Sequence, residues 1–353
     1  MRKTPAVLVC EAGIGSLEIA GLTVLDRLVV TAHRAGCAPI FVVCDSAPPL
    51  VRAQAMGIAA TVVRDIPQSE GAALMITGGV LVEPRDLERV IEAGGPLIAA
   101  NGLPLPVKMN TPDPQPVTAS GVACAISDAA SAREAERKLW SSLTSTSDGI
   151  VDRFFNRPVG RPISKLLIHT PVSPNQVSVV SILIGVVSAW FFAVGNFVVG
   201  AIALQLSAII DCVDGDLARA LFKQSRWGKW HDLGGDQVVH FSVFAALGIG
   251  VARTHPSTPA LWLGASAALG VLLSFAVIVR ALRQPASQRG PLLNKLLDAT
   301  ANRDFSVLLL VLSLFGRMDL FLWMAGIGIH VFWIVLLVLQ LGRTTPSMSR
   351  ETA

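Results

Sequence analysis

The pattern of apolar and polar positions divides the chain into two parts. Up to about residue 140, short apolar runs alternate with segments of helical periodicity. The runs that predict buried strands lie near Ala6, Ala38, Ala60 and Ala73, and the segments that predict helices are 17–35, 48–56 and 84–93. This alternation indicates a three-layer α/β domain with one modest core.

From residue 173 onward the apolar segments are long enough to cross a membrane. We count six, at roughly 174–195, 197–222, 229–252, 257–283, 304–316 and 318–342. Ser173 followed by Pro174 predicts the start of the first helix. Residues 148–167 mix Phe154 and Leu166 with basic residues and two prolines, which indicates a bent interfacial segment.

These patterns predict four regions. Residues 1–140 form a cytosolic α/β domain, and residues 141–172 form an interfacial juxtamembrane segment. A polar helix over about 130–147 leads from the domain towards the membrane. Residues 173–343 form an all-α domain of six transmembrane helices, and residues 344–353 form a flexible tail.

Composition agrees with a membrane protein, because 52% of the residues are hydrophobic, only 15% are charged and the mean hydropathy is +0.57. The net charge of +4 is small, and we expect no nucleic-acid partner. The five cysteines show no zinc spacing, which agrees with a reducing compartment. Basic residues concentrate before the first span, between the second and third, around the fourth and fifth, and after the sixth. The positive-inside rule then predicts a multi-pass protein of the cell membrane with both termini on the cytosolic side.

Residues 211–236 are the most polar stretch of the apolar half. They contain four carboxylates, Asp211, Asp214, Asp232 and Asp236. Asp211 and Asp214 share one helix face with Gly215 and Ala218, at positions i, i+3, i+4 and i+7. Gly228, Asp232 and Asp236, each four residues apart, share a face of the next helix. A polar turn between the two helices lets the acidic faces meet on the cytosolic side.

Converging carboxylates repel one another unless divalent cations lie between them. Hard oxygen ligands favour Mg²⁺, Mn²⁺ or Ca²⁺, and a two-metal carboxylate site clamps phosphate oxygens during in-line displacement. Gly215 and Ala218 leave room for a ligand, and Arg219 supplies donors suited to a phosphate. A divalent-cation transporter also places acids within a helix bundle, but it has no use for Gly215, Ala218 and Arg219.

The spacing Asp-x2-Asp-Gly-x2-Ala-Arg-x8-Gly-x3-Asp-x3-Asp resembles the signature of the CDP-alcohol phosphotransferases, and all eight fixed positions are present. The resemblance implies that Asp211, Asp214 and Asp232 bind Mg²⁺ or Mn²⁺, with Asp236 both a ligand and the catalytic base. It implies that Gly215, Ala218, Arg219 and Gly228 line the CDP site. Asn175 is a further candidate for nucleotide contact, although capping and packing explain it equally well.

The resemblance also implies the reaction. A phosphatidyl or related phosphoalcohol group moves from a CDP-linked donor to an acceptor alcohol with release of CMP, in phospholipid biosynthesis at the bilayer, by an enzyme that is a homodimer. Arg280, Arg283 and Arg303 are candidates for binding the phosphate of an acceptor such as inositol phosphate or glycerol phosphate, and lipid headgroup contacts explain them as well. The donor stays open between CDP-diacylglycerol and CDP-inositol, the latter giving a di-inositol phosphate.

The N-terminal domain resembles the sugar-phosphate nucleotidyltransferase domains that some CDP-alcohol phosphotransferases carry. Three departures predict that it is inactive. Leu17 stands where a phosphate-binding arginine is expected, and no Pro-Lys pair follows before the second strand. Thr77-Gly78-Gly79 ends a strand where a metal-binding aspartate is needed. We therefore expect a scaffolding or regulatory domain.

Overall fold

Two compact units make up this computed structural model, which describes residues 4–67, 72–111, 114–144, 148–285, 289–299 and 305–341. The first unit comprises Met1–Thr144 and the short segment Arg219–Phe222. The second comprises Ser145–Ala218 and Lys223–Ala353. The tail expected at 344–353 lies outside the described residues.

A seven-stranded sheet forms the centre of the first unit, in the order β10-β8-β9-β6-β1-β4-β5. In chain order the strands of this unit are β1 Ala6–Val9, β2 Glu18–Ile19, β3 Leu22–Thr23, β4 Ile40–Val43, β5 Ala60–Val63, β6 Leu74–Thr77, β7 Gly79–Leu81, β8 Gly94–Ile98, β9 Pro104–Met109, β10 Gln115–Thr118 and β11 Cys124–Ile126. The strands β2 and β3 pair with each other, as do β7 and β11, and both pairs are antiparallel.

The interior strand β1 is parallel to both of its neighbours, so Leu8 stands opposite Val42 on β4 and Ile76 on β6. All three side chains are fully buried. A strand covered on both faces needs a continuous apolar sequence, and from this pattern buried strands near Ala6, Ala38, Ala60 and Ala73 were predicted. All four strands are present, but the burial predicted near Ala60 is wrong, because β5 lies at the edge of the sheet and Val62 is 51% exposed. The predicted α/β domain is confirmed.

The helices of this unit are α1 Ala12–Gly15, α2 Val24–Arg34, α3 Val51–Ala55, α4 Pro84–Ala93 and α5 Ala129–Ser142. The helix predicted over 17–35 is wrong at its start, because the hairpin β2–β3 occupies residues 18–23. Ala20 and Gly21 at its turn have φ values of 47° and 72°, as a two-residue type I′ turn requires. Thr23 then begins α2 by accepting a hydrogen bond from the backbone N–H of Asp26 at 3.2 Å.

Within the first unit, arginine side chains converge on Phe222. Its carbonyl oxygen accepts hydrogen bonds from Arg34 and Arg52, each at 2.8 Å. The guanidinium groups of Arg34 and Arg27 lie 4.8 and 5.2 Å from the centre of its ring, within the range of a cation–π interaction. Burial lowers the pKa of Arg27 to about 10, which leaves it charged at neutral pH.

The second unit is helical throughout its described part. A π-helical turn, Asp152–Asn156, leads directly into α6 Arg157–Leu167. The remaining helices are α7 Pro174–Ala193, α8 Phe197–Ala220, α9 Arg226–Thr254, α10 Ala260–Leu282, α11 Pro291–Ala299, α12 Phe305–Leu314 and α13 Met318–Leu341. The start of α7 is as predicted, since Ser173 and Gln176 form a reciprocal capping box and Pro174 follows the cap.

Among the described residues, five helices are long and apolar enough to cross a membrane: α7, α8, α9, α10 and α13. The fifth apolar segment, predicted at 304–316, is a helix of only 10 residues, Phe305–Leu314. At 1.5 Å per residue that helix covers roughly half of a bilayer's hydrocarbon core. The predicted helical domain is therefore confirmed with five candidate membrane spans among the described residues, and the count of six is not confirmed.

Small residues allow the membrane helices to pack closely. Gly248 on α9 and Gly264 on α10 face each other, and a Cβ built on Gly248 would come within 2.9 Å of the Gly264 Cα. Gly250 approaches the Phe192 carbonyl oxygen of α7 in the same way. Such contacts bring backbones together where no hydrophobic force drives helices together in lipid. They hold the second half of α9 close to α10 and α7.

Candidate metal centre

Helix α8 carries the first half of the acidic motif at its end. Asp211 and Asp214 lie on one face, with Gly215 and Ala218 on the same face one turn apart. The helix stops where Phe222 adopts a positive φ of 54° and the N–H of Lys223 bonds back to the Ala218 carbonyl at 2.8 Å. This termination of the Schellman type ends the helix directly after the motif's arginine, Arg219.

Helix α9 carries the second half of the motif in its first three turns. Ser225 caps it by accepting a hydrogen bond from the Gly228 N–H at 2.9 Å. Asp232 and Asp236 follow at four-residue spacing from Gly228, which places the three residues on one face. Asp232 is exposed, whereas Asp236 is only 8% exposed.

The two acidic faces meet. Carboxylate oxygens of Asp211, Asp214 and Asp232 all lie within 4.8 Å of one another. Three negative charges at this separation repel strongly at partial burial, and a divalent cation with oxygen preference fits the group. Asp236, one turn further along α9, is not among these three. The donor set of these three carboxylates therefore fits Mg²⁺ or Mn²⁺.

Hydroxyl groups of α7 hold the α8 carboxylates from the side. Ser178 donates a hydrogen bond to Asp214, and the Ser181 hydroxyl lies 3.5 Å from Asp211. Ser181 also bonds to the Ser207 carbonyl oxygen of α8 at 3.0 Å. Outer partners of this kind orient metal-binding carboxylates. The sequence analysis missed them, although Ser178 and Ser181 continue a polar stripe that begins at Asn175.

The residues expected to contact CDP lie around the same helix ends. Gly215, Ala218 and Arg219 are each partly exposed on α8. A Cβ on Gly228 would lie 3.1 Å from the Ser225 hydroxyl and 3.9 Å from the Asn175 side-chain oxygen. Asn175, exposed in the first turn of α7, therefore stands beside Gly228 at the start of α9. Their proximity agrees with a shared ligand.

The arginines expected to bind an acceptor are partly described. Arg280 lies in the last turn of α10 and Arg283 is its C-cap, and both are exposed. Arg303 lies outside the described residues. Exposed guanidinium groups at the end of a membrane helix suit the phosphate of a soluble acceptor and that of a lipid headgroup.

The opposite face of α8 is also acidic, which the sequence analysis did not predict. Asp216 is 1% exposed and bonds to the Arg157 guanidinium, with 2.6 Å between Nη1 and Oδ1. The same guanidinium binds Asp148 through Nε and Nη2. Burial by itself lowers the pKa of Arg157, but the hydrogen bond to Asp148 and the charge of Asp216 outweigh it and raise the pKa. Arg157, expected at the membrane surface, is instead a buried partner of the motif helix.

Comparisons with known proteins agree with this geometry. Residues 171–341 match the family model of the CDP-alcohol phosphatidyltransferases. A bifunctional IPC transferase and DIPP synthase of Thermococcus kodakarensis is 39% identical over 107 residues, which are 30% of this chain and 24% of the relative. A phosphatidylinositol phosphate synthase of Streptomyces avermitilis is 35% identical over 98 residues, 27% of this chain and 39% of the relative. The matches thus span well under half the length of these curated relatives.

A solved structure is also similar. The phosphatidylinositol phosphate synthase of Mycobacterium tuberculosis, crystallised with CDP-DAG bound, aligns with 56% of this chain and 100% of its own at 16% identity and a TM-score of 0.44. The family model covers α7 to α13 and with them every carboxylate of the acidic motif. Residues 171–341 of this chain are therefore a CDP-alcohol phosphatidyltransferase domain.

Proposed function

We propose that this protein is a metal-dependent CDP-alcohol phosphotransferase of the membrane. It moves a phosphatidyl or related phosphoalcohol group from a CDP-linked donor to an acceptor alcohol. The observation that carries the proposal is the meeting of Asp211, Asp214 and Asp232 within 4.8 Å, on the helices that hold the family's motif. A cation transporter would need the acids alone, whereas Gly215, Ala218 and Arg219 are also in place.

The metal centre uses the three clustered carboxylates as ligands for Mg²⁺ or Mn²⁺, with Asp236 available to a second ion. When bound, the cations neutralise the donor diphosphate and the CMP that leaves. Gly215 and Ala218 leave space for the nucleotide along α8, and Arg219 donates to its phosphates. Asn175 and Gly228 border the same space. Ser178 and Ser181 keep the carboxylates oriented.

Asp236 acts as the general base. Its carboxylate takes the proton from the acceptor hydroxyl, and the acceptor oxygen bonds to the β-phosphorus of the donor. The bond from that phosphorus to the bridging oxygen breaks, CMP leaves with the electron pair, and a phosphodiester remains.

We propose inositol phosphate as the acceptor, bound by Arg280, Arg283 and Arg303. The name of the Streptomyces relative, a phosphatidylinositol phosphate synthase, supports inositol phosphate over glycerol phosphate. The donor is then CDP-diacylglycerol. The Thermococcus relative, named a DIPP synthase, supports the second candidate, in which a CDP-inositol donor gives a di-inositol phosphate.

We further propose a multi-pass topology of six crossings with both termini and the metal centre on the cytosolic side. The apolar segment predicted at 304–316, which includes the short helix α12, supplies the sixth crossing, and the basic residues that border the spans support the orientation. The enzyme acts as a homodimer in the bilayer. The N-terminal unit, a degenerate nucleotidyltransferase-like domain, serves as a scaffold, since Leu17 and Thr77-Gly78-Gly79 replace the residues that catalysis there would need.

The test is CMP release by the purified full-length protein in detergent. Each of the donors CDP-diacylglycerol and CDP-inositol is combined with inositol phosphate, glycerol phosphate, inositol and an amino alcohol, with Mn²⁺ or with EDTA. We expect Mn²⁺-dependent CMP release with CDP-diacylglycerol and inositol phosphate. Release only with CDP-inositol would favour the second candidate, and no release from either donor would contradict the proposed function.

A further inference from the structure

The segment of residues 148–167 reverses the arrangement of an ordinary surface helix, in which polar side chains are exposed and apolar side chains are buried. Its large apolar side chains Ile150, Phe154 and Leu166 are 74%, 75% and 72% exposed. Its polar side chains Asn156 and Arg157 are instead buried. Exposed apolar groups of this size suit lipid, and the buried polar groups need partners within the protein.

Those partners lie on the back of α8, the face opposite Asp211 and Asp214. Asn156 bonds to Gln205, and the Cys212 thiol lies 3.7 Å from an Asp152 carboxylate oxygen. One turn further along α8, Asp216 receives the Arg157 guanidinium at 2.6 Å. The contacts thus follow α8 from Gln205 to Asp216, which is roughly 16 Å of helix.

The two helices are also in close steric contact. A Cβ on Gly160 would come within 3.1 Å of the Ile209 carbonyl oxygen and 3.2 Å of the Val213 side chain. Ser164 adds a contact with Asp216 at 3.4 Å, one turn after Gly160. The approach leaves α8 little freedom to rotate or slide, because both charge and shape are matched along it.

We propose that Arg157 is a positioning residue for the metal centre, an inference that rests on the proposed ligand role of Asp211, Asp214 and Asp232. Asp216 is two residues from Asp214 on the same rigid helix, so the Arg157 clamp on the back sets where the front carboxylates stand. Functional groups need placement within about 0.5 Å, and a buried bidentate arginine held by two carboxylates supplies such a constraint. Arg157 itself contacts neither metal nor substrate.

The experiment measures Mn²⁺ affinity, from the electron paramagnetic resonance signal of free Mn²⁺, in full-length protein that elutes as a single folded peak in detergent. We expect Arg157→Gln to weaken Mn²⁺ binding by about 10-fold or more, the range known for outer partners of metal ligands. Arg157→Lys keeps the positive charge but lacks the forked guanidinium group. Its Mn²⁺ affinity should therefore lie between those of the wild type and Arg157→Gln. Arg153→Gln, an equal charge change at an exposed position of the same segment, should leave Mn²⁺ affinity unchanged.

An unchanged Mn²⁺ affinity in folded Arg157→Gln would overturn the proposal. If Arg157→Gln fails to fold, Arg157→Lys and Ser164→Ala test the proposal instead. Unchanged Mn²⁺ affinity in both of these variants would overturn it. A merely structural role would lower thermal stability without changing Mn²⁺ affinity. Wild-type protein that binds Mn²⁺ but releases no CMP would contradict the proposed function alone, because the effect of Arg157 on Mn²⁺ affinity would still stand.

Discussion

The two faces of α8 carry the same chemical group in opposite settings. On the back, Asp216 is fully buried and bonded to the Arg157 guanidinium. On the front, Asp211 and Asp214 meet the neutral hydroxyls of Ser181 and Ser178, and a third carboxylate, Asp232, faces them. On the back face the guanidinium of Arg157 neutralises the carboxylate. On the front face three carboxylates surround a space that suits a divalent cation.

This difference distinguishes a carboxylate with a structural role, Asp216, from carboxylates that can bind a metal, Asp211 and Asp214. A buried ion pair contributes little net stability compared with apolar residues, but removing one partner leaves an uncompensated charge and is strongly destabilising. A carboxylate held among like charges destabilises the metal-free protein and gains from a bound ion. Substitutions on the two faces should therefore have different consequences, even though both change Asp to Asn.

The largest expected effect is on catalysis at Asp236. Asp236→Asn should reduce CMP release by about 10²–10⁴-fold, because the general base is lost while the side-chain shape is kept. Chromatography of released CMP measures this, and the elution profile in detergent verifies folding. Asp319→Asn, on α13 and paired with Arg317 in the described structure, is a matched control that should keep CMP release. Near-normal turnover in Asp236→Asn would remove Asp236 from the role of base.

The front and back faces are compared directly by Asp214→Asn and Asp216→Asn. Asp214→Asn should weaken Mn²⁺ binding by more than about 100-fold, because the loss of a metal ligand exceeds the loss expected for a residue that only hydrogen-bonds to a ligand. It should reduce the stability of the protein little. Asp216→Asn should lower the free energy of unfolding by about 3 kcal/mol, because Arg157 loses one of its two carboxylates. Denaturation in detergent and Mn²⁺ titration measure the two effects. Equal losses of Mn²⁺ affinity and equal losses of stability in the two variants would contradict the distinction between the faces.

Metal removal sharpens the comparison further. Mn²⁺ at 100 times its dissociation constant should stabilise the wild-type protein by about 2.7 kcal/mol relative to protein in EDTA. The same addition should stabilise Asp214→Asn very little, and it should still stabilise Asp216→Asn once Mn²⁺ exceeds the weaker dissociation constant of that variant. Thermal unfolding with and without Mn²⁺ measures the shift. Equal stabilisation of all three proteins would place the ion away from α8.

A smaller effect is expected at Gly160, where α6 approaches the back of α8. Gly160→Ala should destabilise the protein by about 1–3 kcal/mol, since the added methyl group would contact the Ile209 carbonyl oxygen. Gly328→Ala is the control on α13, where nothing lies within 4 Å of a built Cβ, and it should be neutral or slightly stabilising. Thermal midpoints measure both. Equal midpoints for the two variants would show that the approach is not close in solution.

The smallest expected effect concerns the hydroxyl beside Asp214. Ser178→Ala removes one hydrogen bond to that carboxylate and should cost about 0.5–1.5 kcal/mol, with a weaker affinity for Mn²⁺. Ser188→Ala, on the same helix but bonded to its own backbone at Gly185, should leave Mn²⁺ affinity unchanged. The same titration measures both variants, and identical affinities would leave Ser178 a packing residue.

The front face could be predicted from the sequence because its signals are local. Four carboxylates at three- and four-residue spacing define helix faces without knowledge of the fold, and the polar turn between them predicts that the faces meet. The same holds for the apolar strands around β1. Where a local signal was overlooked, the prediction was wrong: Gly21 and Thr23 mark a turn and a helix cap inside the segment that was predicted as helix from residue 17.

The back face could not be predicted because its contacts join residues far apart in the chain. Arg157 and Asp216 are separated by 59 residues, and the basic residues around Arg157 are typical of a membrane surface. Only the packing of α6 on α8 shows that one of them is buried in an ion pair. Partial signals were present: Gln205, Cys212 and Asp216 lie at helical spacing on one side of α8, away from the motif.

The most direct test of the central claim is CMP release by wild-type protein, Asp214→Asn and Asp216→Asn as a function of Mn²⁺ concentration, with CDP-diacylglycerol and inositol phosphate. The account predicts Mn²⁺-dependent release by the wild type, none by Asp214→Asn at the Mn²⁺ concentrations that support release by the wild type, and release by Asp216→Asn that recovers at higher Mn²⁺. Release by Asp214→Asn at wild-type Mn²⁺ concentrations would contradict it, because the front carboxylates would then not hold the metal.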